Sequence, residues 1–419
     1  VTPSASPRGT HTSPRHAPSG LSSQPAASNT DAGSAPSVIN MGETLTRACS
    51  SGRVREALAR RREQTGSAVP DEVDNLDEVT LRATNLDKLD GGDFDALIVG
   101  GGINGAVAAA ALAARGASVA VIDRGDFANF TSQESSNLVW GGFKYLENYE
   151  LPLVRKLCMS RNRLMRTYPA NVQEIGFLAA LGNTSPFPPW LAAVGSFAYW
   201  GIGNFKTNAP RPLSAESIEQ LEPVINTTDV RGGIEYADAY LKDNDARFVF
   251  GFIRSAMDVG AVAANYVELE AAERSGARWQ ATLRDLEDNH QINLSAKIIV
   301  NAAGPFIDGL NESWTLRTDH RIVYSKGIHL IVDQLTPTER VLAFFDDTKR
   351  LFYVIPMGKR SMIGTTDTRV DDPHTKVTDE DRSFLLDQIN ACLLYTSPSP
   401  RDCNEYLVCR LLLEKGGGG

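Results

Sequence analysis

The sequence predicts an α/β fold that combines a doubly wound, Rossmann-like domain, built from separated segments of the chain, with a second domain on a mixed or antiparallel sheet. The first observation is the apolar run from Phe94 to Val99, which has no polar face and leads directly into a glycine-rich turn. This composition is typical of a buried parallel strand. The second observation is a set of β-rich segments after residue 312, among them RIVYSKGIHLIV and RLFYVIPM, which predict strands of the second sheet.

The glycines Gly100, Gly102 and Gly105 have the G-x-G-x-x-G spacing and precede an Ala-rich helix that ends near Arg115. In this motif the first glycine permits a tight turn, the second a close approach to a pyrophosphate, and the third close packing of helix and strand. The N terminus of the helix offers unpaired N–H groups to phosphates. Asp123 ends the next strand, SVAVID, where an acid accepts hydrogen bonds from a ribose diol. Together these elements predict dinucleotide binding.

The glycines alone do not distinguish FAD from NAD. After the second strand the chain continues into a long loop, RGDFANFTSQESSNLVWGG (124–142), and not into a further regular βα unit. The loop is rich in hydroxyl groups and backbone donors, which suits a cofactor that stays bound between turnovers. It therefore favours FAD.

Composition excludes several other classes of function. A chain of 419 residues can hold two or three domains and bury a substantial core. The formal charge of −9 argues against a nucleic-acid partner. Five cysteines form no disulfide framework and favour a reducing compartment, and six scattered histidines lack metal-ligand spacing, so no metal site is predicted. No segment has about 20 uninterrupted apolar residues, so no membrane-spanning helix is expected.

The two ends differ in composition from the middle. Residues 1–40 are rich in Ser, Pro and Ala and nearly lack large aliphatic side chains, so we expect them to be disordered. Residues 41–92 are predicted as an N-terminal extension, in which 53–64 is either a solvated surface helix or an organellar targeting helix. DEDRSFLLDQINA predicts a helix with acids in its first turn. Residues 392–419 differ in residue pattern from the preceding chain and are predicted to be a tail foreign to the native chain. An unusual genuine C terminus is the alternative.

Six segments share their order with one known family: IVGGGINGA (98–106), TSQESSNLVWGGFKYLENYELPLV (131–154), GGIEYADAYLKDNDARFVF (232–250), IIVNAAGPFID (298–308), YSKGIHLIV (324–332) and LFYVIPMGKRSMIGTTDT (351–368). Through them, residues 93–391 resemble the FAD-dependent glycerol-3-phosphate dehydrogenases, a branch of the D-amino-acid-oxidase-like flavoproteins. Several motifs in the same order are more specific than any single motif.

The resemblance implies that FAD lies along the first β-α-β unit. The implied contacts are Gly100, Gly102, Ile103, Asn104, Gly105, Asp123 and Arg124 for the ADP half; Thr131, Ser132, Ser135, Leu138, Gly141 and Gly142 along the pyrophosphate and flavin; Val267 at the adenine; and Ala302 and Gly304 where the cofactor passes a strand end. Tight packing of strand against helix is an alternative role for the small residues at 302–304.

The resemblance also implies oxidation of sn-glycerol 3-phosphate to dihydroxyacetone phosphate by hydride transfer to FAD, with electrons passed to a membrane quinone. It implies a peripheral location on the inner membrane, at the bacterial cytoplasmic face or in mitochondria, with a cytoplasmic location as the alternative. Such chemistry needs a base for the hydroxyl proton and donors for the phosphate. The candidate catalytic residues are Lys144, Tyr145, Lys326, His329 and Thr366. His329 suits proton acceptance by its ordinary pKa, and a structural hydrogen bond explains a strand histidine equally well.

The sequence departs from the family beside the presumed substrate. Trp140 stands where the family usually has His, and Lys144 where it usually has Arg. Lysine keeps the charge but lacks the bidentate fork that grips a phosphate. Two further family segments, Gly-Val-Arg-Pro and Gly-Gly-Lys-x-Thr-Thr, do not occur, so we expect part of the active site to be missing from this chain. The same reaction on another 2-hydroxy acid or amine, and flavin binding without turnover, are the alternatives.

The predicted domains follow from this alignment of motifs. The FAD-binding domain takes 93–169, 231–311 and a return at 359–391, and the substrate domain takes 170–230 and 312–358. Within the substrate domain, 188–205 is either a buried helix or a helix that dips into a lipid interface.

Overall fold

The computed structural model describes residues 80–314 and 318–394, and the backbone alone of residues 404–415. The strands are β1 (Asp93–Val99), β2 (Val119–Ile122), β3 (Leu138–Val139), β4 (Val172–Leu181), β5 (Arg211–Leu213), β6 (Gly232–Leu241), β7 (Val262–Ala264), β8 (Val267–Ser275), β9 (Arg278–Asp285), β10 (Gln291–Asn301), β11 (His320–Asp333), β12 (Val341–Phe345), β13 (Leu351–Met357), β14 (Arg360–Gly364), β15 (Thr368–Val370) and β16 (Asn404–Lys415). The helices are α1 (Leu81–Leu89), α2 (Ile103–Ala113), α3 (Leu151–Thr167), α4 (Pro189–Ile202), α5 (Ala215–Leu221), α6 (Asp245–Asp258), α7 (Ile307–Ser313) and α8 (Asp379–Cys392), with 3-10 turns at Phe130–Ser132, Phe143–Leu146 and Gly304–Phe306.

The first sheet has the strand order β7-β2-β1-β10-β9-β8. Its β7, β2, β1 and β10 are parallel neighbours, and β10, β9 and β8 form an antiparallel extension. Ile98 packs with residues of α2 and α6 on one face of β1, whereas Leu97 and Val99 pack into a separate cluster on the other face. Both faces of β1 are therefore buried, as its largely apolar run predicts.

Helix α1 packs against this sheet. The Asn85 side-chain amide donates to the Ala263 carbonyl at 2.8 Å, and the Arg82 guanidinium forms an ion pair with Asp285 at 2.5 Å. These residues belong to the C-terminal end of the predicted extension 41–92. The predicted disorder of residues 1–40 and the predicted helix at 53–64 lie outside the described residues.

The second sheet has the order β15-β11-β14-β13-β12-β4-β6-β3, with β5 beside β6 and β16 beside β11. Only the pair β12–β4 is parallel among these described strands, so the sheet is mixed, which is one of the two predicted alternatives. Along β4, Leu178 faces a core that α8 covers through Leu385 and Ile389. Its neighbour Phe177 faces the opposite core, to which α3 and α4 contribute.

The chain passes three times between the two sheets. It leaves the first sheet after β2, forms β3 to β6 of the second, returns for β7 to β10, and then completes the second sheet. This confirms the predicted discontinuous architecture. The exact domain boundaries stay predictions: residues 359–391, predicted as a return of the cofactor domain, contribute β14 and β15 to the second sheet and α8 to its cover. Of the predicted foreign tail, the described backbone of 404–415 pairs with β11.

Candidate functional site

The turn between β1 and α2 requires glycine. Gly100 has a φ of +108°, a conformation that residues with a Cβ rarely adopt. A Cβ on Gly105 would overlap the carbonyl oxygen of Gly100, and a Cβ on Gly102 would lie 2.9 Å from the Oγ of Ser132. The glycines therefore allow α2 to begin directly against the end of β1.

Helix α2 presents its first N–H groups to the carboxyl edge of the sheet. Its N-cap residue, Gly102, has no side chain that could cap the helix, and the first turn contains no acidic residue. The Ile103 N–H donates to the Ser132 Oγ at 3.0 Å, which ties the loop after β2 to the helix. The positive end of the helix dipole is thus uncompensated within its own turn and suits a phosphate.

Asp123 follows β2 immediately and lies next to the glycine turn. Its two carboxylate oxygens accept the N–H groups of Gly101 at 2.7 Å and Gly125 at 2.8 Å. Burial raises the pKa of Asp123, and these two hydrogen bonds oppose the rise. The carboxylate is held in a fixed orientation from which it can also accept ribose hydroxyl groups.

One cleft, here called the cofactor cleft, contains most of the predicted cofactor contacts. The predicted cofactor contacts that line this cleft are Gly100, Gly102, Ile103, Asn104, Asp123, Arg124, Thr131, Ser132, Val267, Ala302 and Gly304. Since β10 is the parallel neighbour of β1, with Asn301 opposite Val99, residues 302–304 emerge at the same edge of the sheet as the glycine turn. The cleft offers a helix N terminus for phosphates, a carboxylate for a ribose and a glycine turn in which a Cβ would overlap neighbouring backbone atoms. These residues fit FAD.

Sequence reasoning missed part of the cleft lining, above all Phe130 and Phe306. Their rings contact each other edge to face with centroids 5.0 Å apart, and the Arg124 guanidinium lies 5.7 Å from the Phe306 centroid. Phe306 follows the strand end at 302–304, so its position could have been inferred from the parallel pairing of β10. Phe130 has a φ of +56°, which no local pattern indicates.

Five predicted cofactor residues lie outside the lining of this cleft. Gly105 packs behind the glycine turn. The Ser135 N–H donates to the Asp245 carboxylate at 2.9 Å, and Leu138 pairs with Tyr240 in the second sheet. Gly141 and Gly142 follow β3, and Gly142 has a φ of +87°. The role of these positions at a flavin stays a prediction.

Behind Gly141 lies a buried group that the sequence analysis did not identify, consisting of Arg161, Tyr199 and Asp238. The exposed fractions of these three residues are at most 2%. Arg161 occupies the buried stripe of α3 together with Val154 and Cys158. An arginine in such a stripe is the one local signal that could have indicated a buried acidic partner.

The predicted catalytic residues form two groups. Lys144 and Tyr145 lie in the exposed 3-10 turn that follows β3, where the Tyr145 and Trp140 ring centroids are 6.0 Å apart. Lys326 and His329 lie on β11, which five other strands separate from β3 in the sheet order.

The group on β11 is buried. The Lys326 ammonium forms an ion pair with Asp381 of α8 at 2.5 Å, and the Thr366 hydroxyl accepts the Ile328 N–H at 3.0 Å. The His329 ring lies against the backbone of Gly364 so closely that a Cβ there would overlap it. Across residues 80–314 and 318–394, no three His, Cys, Asp or Glu side chains converge as metal ligands would.

The chain is similar to known flavoproteins in sequence. A family model described as FAD dependent oxidoreductase (DAO) matches residues 95–406. The aerobic glycerol-3-phosphate dehydrogenase of Bacillus subtilis is 30% identical over 302 residues, which are 71% of this chain and 54% of that protein. Glycerol-3-phosphate dehydrogenase 2 of Mycobacterium tuberculosis is 32% identical over 317 residues, 74% of this chain and 54% of that protein. The chain thus spans about half the length of these relatives.

Solved structures share the fold. The glycerol-3-phosphate dehydrogenase of Bacillus halodurans, complexed with FAD, has a TM-score of 0.65 at 24% identity. The match covers 80% of this chain and 60% of the Bacillus halodurans chain. The L-alpha-glycerophosphate oxidase of Mycoplasma pneumoniae, with FAD bound, has a TM-score of 0.60 at 16% identity. The match covers 77% of this chain and 84% of the Mycoplasma pneumoniae chain. At these identities the likeness concerns the fold. The likeness confirms the predicted fold class, and the family match confirms the prediction of FAD as the cofactor.

Proposed function

Because the chain belongs to the DAO family of FAD-dependent oxidoreductases, we propose that it binds FAD in the cofactor cleft and acts in the oxidation of sn-glycerol 3-phosphate to dihydroxyacetone phosphate. The observation that carries this proposal is the meeting of the α2 N terminus, the glycine turn and the Asp123 carboxylate at one edge of the first sheet. The names of the relatives supply the substrate. When bound, FAD supplies an acceptor for the hydride that leaves the alcohol carbon.

The chain's own residues have to bind the substrate phosphate and take up the hydroxyl proton. Lys144 and Tyr145 are exposed beside the double glycine, where an ammonium and a phenol can donate to phosphate oxygens. His329 is the proposed proton acceptor. The charge of Lys326 is already compensated by Asp381, so its proposed role is to hold β11 in place beside the substrate.

A second candidate is the same reaction class on another 2-hydroxy acid or on an amine. Trp140 and Lys144, at positions where glycerol-3-phosphate dehydrogenases usually carry His and Arg, favour it. The similar solved structures also include a glycine oxidase of Bacillus cereus, with a TM-score of 0.54. Flavin binding without turnover is the third candidate.

Anaerobic reduction separates these candidates. The chain is loaded with FAD, and the visible flavin absorbance is followed after addition of glycerol 3-phosphate, a 2-hydroxy acid or glycine. We expect bleaching with glycerol 3-phosphate. Bleaching only by one of the other two compounds would overturn the proposed substrate. Bound flavin that no compound bleaches would leave binding without turnover, and a chain that binds no FAD would contradict the whole proposal.

We also propose that electrons pass to a membrane quinone and that α4 docks on the membrane surface. No helix within the described ranges has both the length and the apolar character to cross a bilayer. Helix α4 instead has an exposed apolar face, with Trp190 and Val194 67% and 60% exposed. Arg166 and Lys206 line a groove beside its C-terminal end, which suits anionic headgroups.

Flotation with anionic vesicles tests the docking. The double variant Trp190→Ser and Val194→Ser removes the two most exposed side chains of the α4 face and leaves its buried face unchanged. Burial of both side chains in the interface would contribute about 3 kcal/mol, so we expect about 100-fold weaker partitioning. Leu81→Ser, which changes a 63% exposed leucine on α1, is the matched control. Equal flotation of the double variant, the control and the unchanged chain would contradict docking through α4.

A further inference from the structure

A buried ion pair lies beneath the loop Trp140–Gly142. The Arg161 guanidinium of α3 contacts one carboxylate oxygen of Asp238 on β6 at 2.8 Å. The Tyr199 hydroxyl of α4 donates to the other oxygen at 2.8 Å, and Arg161 also donates to that hydroxyl at 3.1 Å. This group, here called the Asp238 cluster, joins two helices to the second sheet.

The Asp238 cluster also holds the backbone of the loop. The Gly141 N–H donates to both Asp238 carboxylate oxygens, at 3.0 and 3.1 Å. The Cys158 thiol donates to the Gly141 carbonyl at 3.5 Å. A Cβ on Gly141 would overlap the Tyr199 hydroxyl and lie 2.9 Å from the Arg161 guanidinium. The cluster therefore fills the space where any side chain at position 141 would go.

Stability alone does not explain a charged pair at this depth. Burial raises the pKa of Asp238, while the Arg161 charge and the three hydrogen-bond donors oppose the rise. Replacing a buried ion pair by apolar residues of similar volume is often neutral or stabilising. What the pair provides in addition is direction, because its carboxylate fixes the orientation of one loop amide. The 3-10 turn that carries Lys144 and Tyr145 begins directly after this loop.

We propose that Asp238, oriented by Arg161 and Tyr199, is a positioning residue that fixes the Trp140–Gly142 loop against bound flavin. The inference rests on the proposed function, since it takes Gly141 and Gly142 as part of the flavin surroundings. Asp238 acts through the Gly141 backbone, whose N–H it accepts. Weakening the cluster should therefore alter the environment of bound flavin while the glycine turn and Asp123 remain intact.

Two graded variants and one matched control test this role. Tyr199→Phe removes one hydrogen bond to the carboxylate, and Asp238→Asn removes its charge with little change in shape. Glu222→Gln is the control, because Glu222 is equally buried, accepts the Thr336 hydroxyl at 2.6 Å and pairs with Arg340 at 3.2 Å, away from the loop. Each variant of the chain is titrated with FAD and compared by thermal unfolding and by the visible circular dichroism of the bound flavin.

We expect Asp238→Asn to weaken FAD binding about tenfold and Tyr199→Phe by about threefold, both with a changed visible dichroism of the flavin. Glu222→Gln should lower the unfolding temperature and leave both flavin signals unchanged. The inference is overturned if Tyr199→Phe and Asp238→Asn lower only the unfolding temperature, as the control does. If Asp238→Asn fails to fold, Tyr199→Phe decides by the same comparison. An unchanged chain that binds no FAD contradicts the proposed function itself, which is a different result.

Discussion

The substitution Asp123→Asn tests the cofactor cleft most directly. In the folded chain the two carboxylate oxygens accept the Gly101 N–H at 2.7 Å and the Gly125 N–H at 2.8 Å. Asparagine keeps the shape but has one oxygen, so one of these amides would face an NH2 group. The substitution also removes the charge that would accept ribose hydroxyl groups.

The size of the effect follows from these contacts. Leaving a buried amide unsatisfied costs about 1–3 kcal/mol, and hydrogen bonds to a charged acceptor contribute about 1.5–3 kcal/mol against about 1 kcal/mol for a neutral one. A ribose hydroxyl that loses the charged acceptor should thus bind more weakly by about 0.5–2 kcal/mol, which is the difference between these two contributions. Since 1.4 kcal/mol is a factor of ten, FAD affinity should fall about 2- to 30-fold.

Quenching of FAD fluorescence during titration of the apo chain measures this affinity. Asp126→Asn is the matched control, because Asp126 is an exposed acid three residues further on that accepts the Phe127 N–H at 3.0 Å outside the cleft lining. It should bind FAD as the unchanged chain does. If Asp123→Asn also binds FAD with unchanged affinity, the ribose is not held by this carboxylate and the assignment of the cleft is wrong.

The pH dependence of binding gives a second readout of Asp123. Burial raises its pKa in the folded apo chain above that in the unfolded chain. Its contribution to apo stability is therefore present below the unfolded pKa and lost as the pH rises through the folded pKa. FAD binding should change in the opposite direction, because ribose hydroxyl groups donate to the ionised form, so affinity should rise over the same pH range. Asp123→Asn should abolish this rise, and a rise that persists in the variant would point to another group.

Substitutions of Gly105 and Asp381 and chemical labelling of Cys392 test three further features of the packing. Gly105→Ala should destabilise the chain by about 1–3 kcal/mol in urea unfolding, because the new methyl group meets the Gly100 carbonyl. Its control is Gly251→Ala, at an open helical position, which should stabilise the chain by up to about 1 kcal/mol. Equal effects of the two substitutions would contradict the tight turn. Asp381→Ala should cost about 3–5 kcal/mol by leaving the buried Lys326 ammonium unpaired, and a loss under about 1 kcal/mol would show that the pair is solvated. Burial raises the pKa of Cys392 to about 12, so iodoacetamide at pH 8 should label this thiol slowly until urea unfolds the chain. Mass spectrometry of the peptide that contains Cys392 measures the labelling. Rapid labelling of the native chain would refute this burial.

The parts of the site that the sequence predicts are those whose signals lie close together along the chain. The apolar run of β1, the glycine spacing and the acid after β2 belong to one short segment, so their geometry follows from local rules. Helix α8 is similar: acids in its first turn predict its start, and the structure has a capping box between Thr378 and Asp381 there.

The Asp238 cluster could not be predicted in this way. Asp238 is 77 residues from Arg161 and 39 from Tyr199. Each residue alone has an ordinary local explanation, as a helix residue or as part of a strand. Only the packing of α3 and α4 on one face of the second sheet brings the three side chains together.

This long-range packing changes what the double glycine means. The resemblance to the glycerol-3-phosphate dehydrogenases implies that Gly141 and Gly142 contact the flavin. In the structure, Gly142 needs glycine for its φ of +87°, and Gly141 needs it because Tyr199 and Arg161 occupy the side-chain position. Both glycines would therefore be required even in a chain that binds nothing at this loop. A Gly141→Ala variant cannot report a flavin contact, whereas Tyr199→Phe, which leaves both glycines in place, can.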